Sequence, residues 1–276
     1  MKEVWDIEKF DIVLGNPPYN QTIDLKFLTK SYNISEQILF VHPSTWLIDE
    51  KGKQRKFIKA KNIVGDNIKS IKLFNGNPVF KIGLFVPCSI TYIDKSYNGN
   101  IKLYDDINNV EVEYDDINKI NKYNTEEYES LKNKILNKSS INLWNNKYSI
   151  GKFYVNISQI RGNVNMVNSD DLSMVKDDFY TTVTKNEKVT VENSKHLYYG
   201  FKSKNEAGNF ISYLKSKFSR FSLSIYKINS QLCRGELESV PWLDFTQEWT
   251  DEKLKEYFNI TDKEWEFIES VIPDYY

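Results

Sequence analysis

The stretch Phe10-Asp11-Ile12-Val13-Leu14-Gly15-Asn16-Pro17-Pro18-Tyr19-Asn20 joins a short apolar run to a corner that contains two prolines. Residues 10–14 are typical of a strand that is buried on both faces of a sheet. The prolines end that strand because they fix φ and lack a backbone N–H. Doubly wound sheets bind their ligands where the carboxyl end of a parallel strand breaks into such a loop. The stretch therefore predicts an α/β sheet with a functional site at its carboxyl edge.

The residues that follow repeat the alternation of helix and strand. Helical spacing at 23–28 and a helix at 53–64 alternate with buried strands at 37–41, 68–74 and 84–93. The last two strands must run antiparallel, because too few residues separate them for a crossover helix. We therefore predict that residues 1–97 form a partial doubly wound α/β sheet that ends in an antiparallel hairpin.

The rest of the chain predicts three further parts. Short alternating runs and a helix at 124–136 indicate a hairpin and helical connector over residues 98–148. Short strands between polar turns, with a helix at 206–218, indicate a mixed α+β domain over residues 149–240. Residues 241–276 indicate a helical segment with starts at Thr250 and Thr261, where Glu264 completes a capping box.

Composition excludes several classes of protein. The two cysteines and two histidines fit neither a disulfide framework nor a histidine-based zinc site, so we expect no metal. No apolar run is long enough to cross a bilayer and no signal-peptide core is present, which favours a cytoplasmic protein. Basic residues dominate residues 51–81 and 185–234, and could form a positive face that meets a phosphate backbone. Solvated surface lysines explain that pattern equally well.

The Asn-Pro-Pro-Tyr corner presents groups suited to an amine on a flat base. The Asn16 side chain and the Pro17 backbone each offer a carbonyl acceptor, and the adjacent Pro18 stiffens the corner. Two acceptors can draw both hydrogens of an exocyclic amine and make its nitrogen nucleophilic. Tyr19 offers a face on which a base can stack, worth about 1–3 kcal/mol. The alternative is a structural turn, in which the asparagine caps and the tyrosine packs.

This corner resembles the catalytic motif of the adenine-N6 DNA methyltransferases of restriction–modification systems, in the subclass with asparagine before Pro-Pro. The resemblance continues in QILFVHPSTWL at 37–47, in RKFI at 55–58 and in NPVF at 77–80, and covers residues 8–95. The segment 237–261 is also similar to members of this group. The resemblance implies a Rossmann-like methyltransferase sheet, a flipped-out adenine as substrate, S-adenosylmethionine as cofactor and double-stranded DNA as partner.

The resemblance also implies roles for individual residues. Asn16 and the Pro17 carbonyl would hold the amine, and Tyr19 would stack on the base. Phe80 would pack on the other face of the base, with Phe85 as second choice and a core phenylalanine as the alternative. His42 would be structural. Residues 149–240 would recognise the target, and DNA contacts are expected from Lys53, Arg55, Lys56, Arg161, Lys202, Lys204 and Arg220.

The cofactor half, which precedes the catalytic motif in the family, has no counterpart that we can identify here. The sequence contains no G-x-G, so the cofactor-binding residues are unknown. We expect a partner protein or a missing N-terminal half to complete the sheet. The chain could be one subunit of a split enzyme, a fragment, or a degenerate descendant that acts as a DNA-binding or protein-interaction module without catalysis.

Overall fold

A computed structural model describes residues 9–52, 54–81, 86–138, 153–158, 180–184, 196–227 and 234–274. The chain divides into two units, Met1–Thr125 and Glu126–Tyr276. The predicted domain boundaries differ from these units, because the predicted connector 98–148 contributes a hairpin to the first unit and a helix to the second. The predicted C-terminal segment 241–276 belongs to the second unit.

The first unit contains a six-stranded mixed sheet. Its strands are β1 (Phe10–Gly15), β2 (Ser35–Pro43), β3 (Ile68–Asn75), β4 (Pro87–Asp94), β5 (Ile101–Asp105) and β6 (Val110–Tyr114), in the order β1-β2-β4-β3-β5-β6. β1 and β2 are parallel, as are β3 and β5, whereas β4 runs antiparallel to both of its neighbours. The predicted alternation of strands and helices up to β3 and the antiparallel return of β4 are confirmed, whereas a short helix, Gly76–Phe80, replaces the turn predicted between β3 and β4.

The two longer helices of this unit cover one face of this sheet. Helix α1 (Ile23–Ile34) joins β1 to β2, helix α2 (Arg55–Val64) joins β2 to β3, and the short α3 (Gly76–Phe80) follows β3. α1 packs on β2 and against α2. The side chains between these layers are fully buried and form the core of the unit, namely Leu25, Leu28, Ile38, Phe40, Ala60, Val64, Ile71, Leu73 and Ile93.

The opposite face of the sheet is more open. Leu14 in β1 is 65% exposed, its register partner Leu39 in β2 is 36% exposed, and Ile12 is 44% exposed. Among the described residues, no strand pairs with the outer edge of β1. The strand that leads into the Asn-Pro-Pro-Tyr corner is therefore an edge strand with exposed apolar side chains, whereas the sequence predicts burial on both faces.

The second unit is a mixed α+β structure. A three-stranded antiparallel sheet has the order β8-β7-β9, with β7 (Phe153–Ser158) between β8 (Tyr180–Thr184) and β9 (His196–Phe201). Its helices are α4 (Glu126–Leu136), α5 (Lys204–Lys215), α6 (Lys217–Tyr226), α7 (Arg234–Leu237), α8 (Asp251–Tyr257) and α9 (Asp262–Val271). The predicted helix starts at Thr250 and Thr261 are confirmed, including the capping box with Glu264.

Candidate functional site

The Asn-Pro-Pro-Tyr corner lies at the carboxyl end of β1. Asn16 and Pro18 are exposed, Pro17 is buried and Tyr19 is half-buried. The side chain of Asn16 is thus accessible, as a role in ligand binding requires. The buried Pro17 ring anchors the corner to the body of the unit.

The loop after the corner is held in a strained conformation. Gln21 and Thr22 both have left-handed backbones, with φ of 53° and 63°. Such a conformation costs of order 1–3 kcal/mol for a residue other than glycine, and β-branched residues such as threonine adopt it rarely. Strain of this kind persists only where the surrounding structure imposes it, and it clusters at functional sites.

A cavity of about 570 Å³ opens beside Asn16. Its size is that of a small-molecule site. It lies on the open face of the sheet, since its residues Val41 and Ile90 are register partners on β2 and β4, and Val41 shares a face with Leu39. The lining is mostly apolar and consists of Asn16, Val41, Lys72, Phe74, Asn75, Pro78, Val79, Phe80, Ile90 and Asp106.

Phe80 reaches this cavity at the end of α3, where the sequence predicts a turn. The Asn75 side chain caps the helix by accepting a hydrogen bond from Asn77 N at 3.0 Å. Gly76 N donates to Val86 O at 2.8 Å, and a Cβ at Gly76 would lie only 2.7 Å from Cys88 Sγ. Close packing at this glycine therefore positions the half-buried Phe80 on the same cavity as Asn16. Phe85 lies outside the described residues.

Tyr19 adjoins the cavity through Asn16. Its hydroxyl donates a hydrogen bond to Asn16 Oδ1 at 2.6 Å. Burial raises the pKa of Tyr19 to about 12, with smaller contributions from Cys88 and Asp24. Tyr19 is not one of the described residues that line the cavity.

His42 belongs to a buried polar cluster beneath α1. Its Nδ1 lies 3.2 Å from Asp24 Oδ2 and its Nε2 lies 3.1 Å from Thr91 Oγ1. The ring is fully buried and lies 5.6 Å from the ring of Trp46. The cluster joins the first turn of α1, which follows the corner, to β2 and β4. This arrangement supports the structural role expected for His42.

The basic residues predicted to bind DNA have varied surroundings. Arg55 and Lys56 are exposed at the start of α2, and Lys56 Nζ donates to Gln21 O at 3.3 Å. Lys56 therefore contacts the strained loop and is not simply a free charge. Lys53 lies outside the described residues.

In the second unit, Lys202 and Lys204 are exposed, and Arg161 lies outside the described residues. Arg220 is fully buried in α6, and its Nη1 donates to Pro273 O at 2.6 Å. The DNA contact expected from Arg220 is therefore wrong, because its guanidinium is used inside the unit. The sequence does not indicate this burial, because the polar serines around Arg220 in α6 are typical of an exposed helix face, yet they are as buried as the aromatic residues of α6.

The most important residues that the sequence did not indicate are those of the cavity wall. Lys72 and Asp106 form an ion pair of 2.8 Å at the cavity. Val41, Phe74 and Ile90 come from three different strands. Period-2 alternation places Lys72 and Phe74 on one face of β3. The sequence does not show that β4 lies between β2 and β3, because the pairing of strands depends on the whole sheet.

The described residues do not fit S-adenosylmethionine. The methyltransferases that the corner resembles hold this cofactor in a glycine-rich turn between a strand and a helix, and no described strand is followed by such a turn. Among the described residues, no three metal-binding side chains converge. The part of the chain that the structure describes also has no helix long and apolar enough to cross a membrane.

Comparison with known proteins gives little further information. No family model matches the chain, and no curated protein matches it. Among the solved structures, one match is to a protein assigned as a modification subunit of a type I restriction enzyme from Vibrio vulnificus YJ016. The identity is 17% and the TM-score is 0.29, and the match covers 38% of this chain and 27% of that one. A similarity this weak carries no argument about function.

Proposed function

We propose that this chain is the substrate-base half of a site-specific DNA adenine-N6 methyltransferase. One observation carries the proposal: the exposed Asn16 side chain lines a cavity of about 570 Å³ that Phe80 also lines. An amide acceptor beside an aromatic ring is the arrangement that a flipped-out adenine requires. The resemblance of the corner to the family's catalytic motif gives this arrangement its chemical meaning.

The proposed mechanism uses the residues of the corner. The target adenine leaves the DNA stack and enters the cavity, because its amine cannot be reached inside a duplex. Asn16 Oδ1 and the Pro17 carbonyl accept the two hydrogens of the amine, so that the nitrogen lone pair becomes available for the methyl group. Phe80 contacts one face of the base, and Tyr19, which adjoins the cavity through Asn16, contacts the other.

The methyl donor is proposed to bind outside this chain's described residues. S-adenosylmethionine would be held by a partner polypeptide, or by another part of a longer chain, that adds a strand to the edge of β1. The open edge of β1 supports this proposal, since unpaired edges are normally covered or blocked. The exposed Ile12, Leu14 and Leu39 support it too, since adjacent exposed apolar side chains often mark interaction surfaces.

Double-stranded DNA is the proposed substrate. Arg55 and Lys56 are exposed near the corner, and Lys202 and Lys204 are exposed in the second unit, which we propose recognises the target sequence. Lys53 and Arg161 remain proposed DNA contacts from the sequence alone.

The test is methyl transfer to duplex DNA by the chain together with the polypeptide that supplies the methyl donor. Asn16→Ala should lower the rate about a hundredfold or more, as removal of a key charge-stabilising group does in other enzymes, while DNA affinity stays within about twofold of wild type. Asn133→Ala is the matched control, because Asn133 is exposed on α4.

Equal loss of DNA affinity in Asn16→Ala would make Asn16 a folding residue and contradict the proposal. If no polypeptide restores methyl transfer and DNA still binds, the chain is instead a non-catalytic DNA-binding module.

A further inference from the structure

The Tyr19 hydroxyl makes a contact that stacking on a base does not require. Its hydrogen bond to Asn16 Oδ1, at 2.6 Å, lies at the short end of the range for O–H···O bonds. Phenylalanine would offer the same flat face without a hydroxyl. The hydroxyl therefore calls for a separate explanation.

The direction of this bond follows from the orientation of the Asn16 amide, whose Oδ1 faces the Tyr19 hydroxyl. Tyr19 keeps its proton at neutral pH, since tyrosine ordinarily has a pKa of about 10 and burial raises the pKa of Tyr19 further, to about 12. The hydroxyl hydrogen can be accepted by Asn16 Oδ1, which has two lone pairs, and not by the amide nitrogen. One acceptor position on Oδ1 is then used by Tyr19, and a second remains for a ligand in the cavity.

We propose that the Tyr19 hydroxyl positions the Asn16 side chain for the target amine, an inference that rests on the proposed function. The terminal torsion of an exposed asparagine has a broad, two-fold profile, so that its oxygen and its nitrogen exchange places readily. Only the oxygen can accept a hydrogen from an amine. By holding Oδ1 in place before the base arrives, Tyr19 favours the productive orientation. Tyr19 is then a positioning residue in addition to a stacking surface.

The first test examines the ligand-free chain. Tyr19→Phe removes the hydroxyl and keeps the ring, and the readout is the ¹³Cγ resonance of Asn16, assigned by its loss in Asn16→Ala. The control is Tyr32→Phe, because Tyr32 Oη donates to Asn67 Oδ1 at 2.5 Å elsewhere in the same unit. We expect the Asn16 resonance to move in Tyr19→Phe and to stay in place in Tyr32→Phe. An unmoved resonance in Tyr19→Phe overturns the inference.

The second test uses adenosine and purine riboside, which lacks the amine, as probes of the same labelled 276-residue chain. We expect Tyr19→Phe to lose about threefold to tenfold of its affinity for adenosine and to keep its affinity for purine riboside. Equal loss for both nucleosides would show that the hydroxyl only supports the cavity, and unchanged affinity for both would show that it does not position Asn16. Either result overturns this inference alone. If the wild-type chain binds neither nucleoside, the proposed base pocket fails, and the inference fails with it.

Discussion

Glu264 should make the stability of the second unit depend strongly on pH. This carboxylate is 5% exposed and accepts hydrogen bonds from Lys134 Nζ at 2.6 Å, from Ser130 Oγ at 2.6 Å and from Thr261 N at 2.7 Å. Burial on its own would raise the pKa of Glu264, but the bonds from Lys134, Ser130 and Thr261 outweigh it and lower the pKa from 4.5 to about 2. The ionised form of Glu264 thus joins α9 to α4.

The size and sign of this pH effect on stability follow from the difference between the ordinary pKa of a glutamate and the pKa of Glu264 in the folded chain. A fall from 4.5 to about 2 corresponds to about 3 kcal/mol of stabilisation by the ionised form, at about 1.4 kcal/mol per pKa unit. Because the pKa is lower in the folded state, this contribution is fully present above about pH 5. It is lost as the pH falls from about 4.5 to about 2, where the carboxylate becomes protonated in both states.

The assay is urea unfolding at a series of pH values for wild type, Glu264→Gln and Glu266→Gln. Glu266 is the control because it is exposed on the same helix. At pH 7 the wild type should exceed Glu264→Gln in free energy of unfolding by up to about 3 kcal/mol, and the difference should shrink towards pH 2. A difference that is the same at pH 7 and pH 3, or an equal effect of Glu266→Gln, would refute this reasoning.

Three further outcomes are expected. Gly76→Ala should lower the free energy of unfolding by about 1–3 kcal/mol, because the added Cβ would lie 2.7 Å from Cys88 Sγ and 3.2 Å from Val86 O. Gly208→Ala should instead stabilise α5 by about 0.5–1 kcal/mol, because no neighbouring atom lies within 4 Å of its Cβ position. Equal thermal shifts in the two variants would contradict the packing argument. Isothermal titration should detect no binding of S-adenosylmethionine to the chain alone and binding once the partner is present, so tight binding to the 276-residue chain alone would disprove the need for a partner. Leu14→Ser should leave the melting temperature of the chain nearly unchanged, since Leu14 is 65% exposed, and should weaken pull-down of the partner; an unchanged pull-down would remove Leu14 from the interface.

The strands of the first unit and their sequence along the chain could be predicted because local patterns determine them. The apolar run before Asn16 ends where two prolines remove hydrogen-bond donors, and the short link from β3 to β4 permits only an antiparallel return. Thr261 and Glu264 show the same locality, since a capping box needs only its own four residues.

The candidate site could be predicted only in part, because its far wall comes from distant strands. Asn16 and Phe80 were both expected to contact the adenine, but the cavity that they line forms only because β4 lies next to β2. Arg220 was misassigned because nothing in its local sequence shows that the carbonyl of Pro273, fifty-three residues later, occupies its guanidinium. The exposed face of β1 was also unexpected, since a short apolar run looks the same in an edge strand as in a central one.

The most direct measurement of the central claim is the identity of the methylated base. Duplex DNA treated with the chain, its partner polypeptide and S-adenosylmethionine would be digested to nucleosides and analysed by mass spectrometry. N6-methyladenine should form with the wild-type chain and with Asn133→Ala, and its rate of formation should fall about a hundredfold or more with Asn16→Ala. A methyl group on another atom, or N6-methyladenine at wild-type levels with Asn16→Ala, would contradict the claim that this corner holds the amine of adenine.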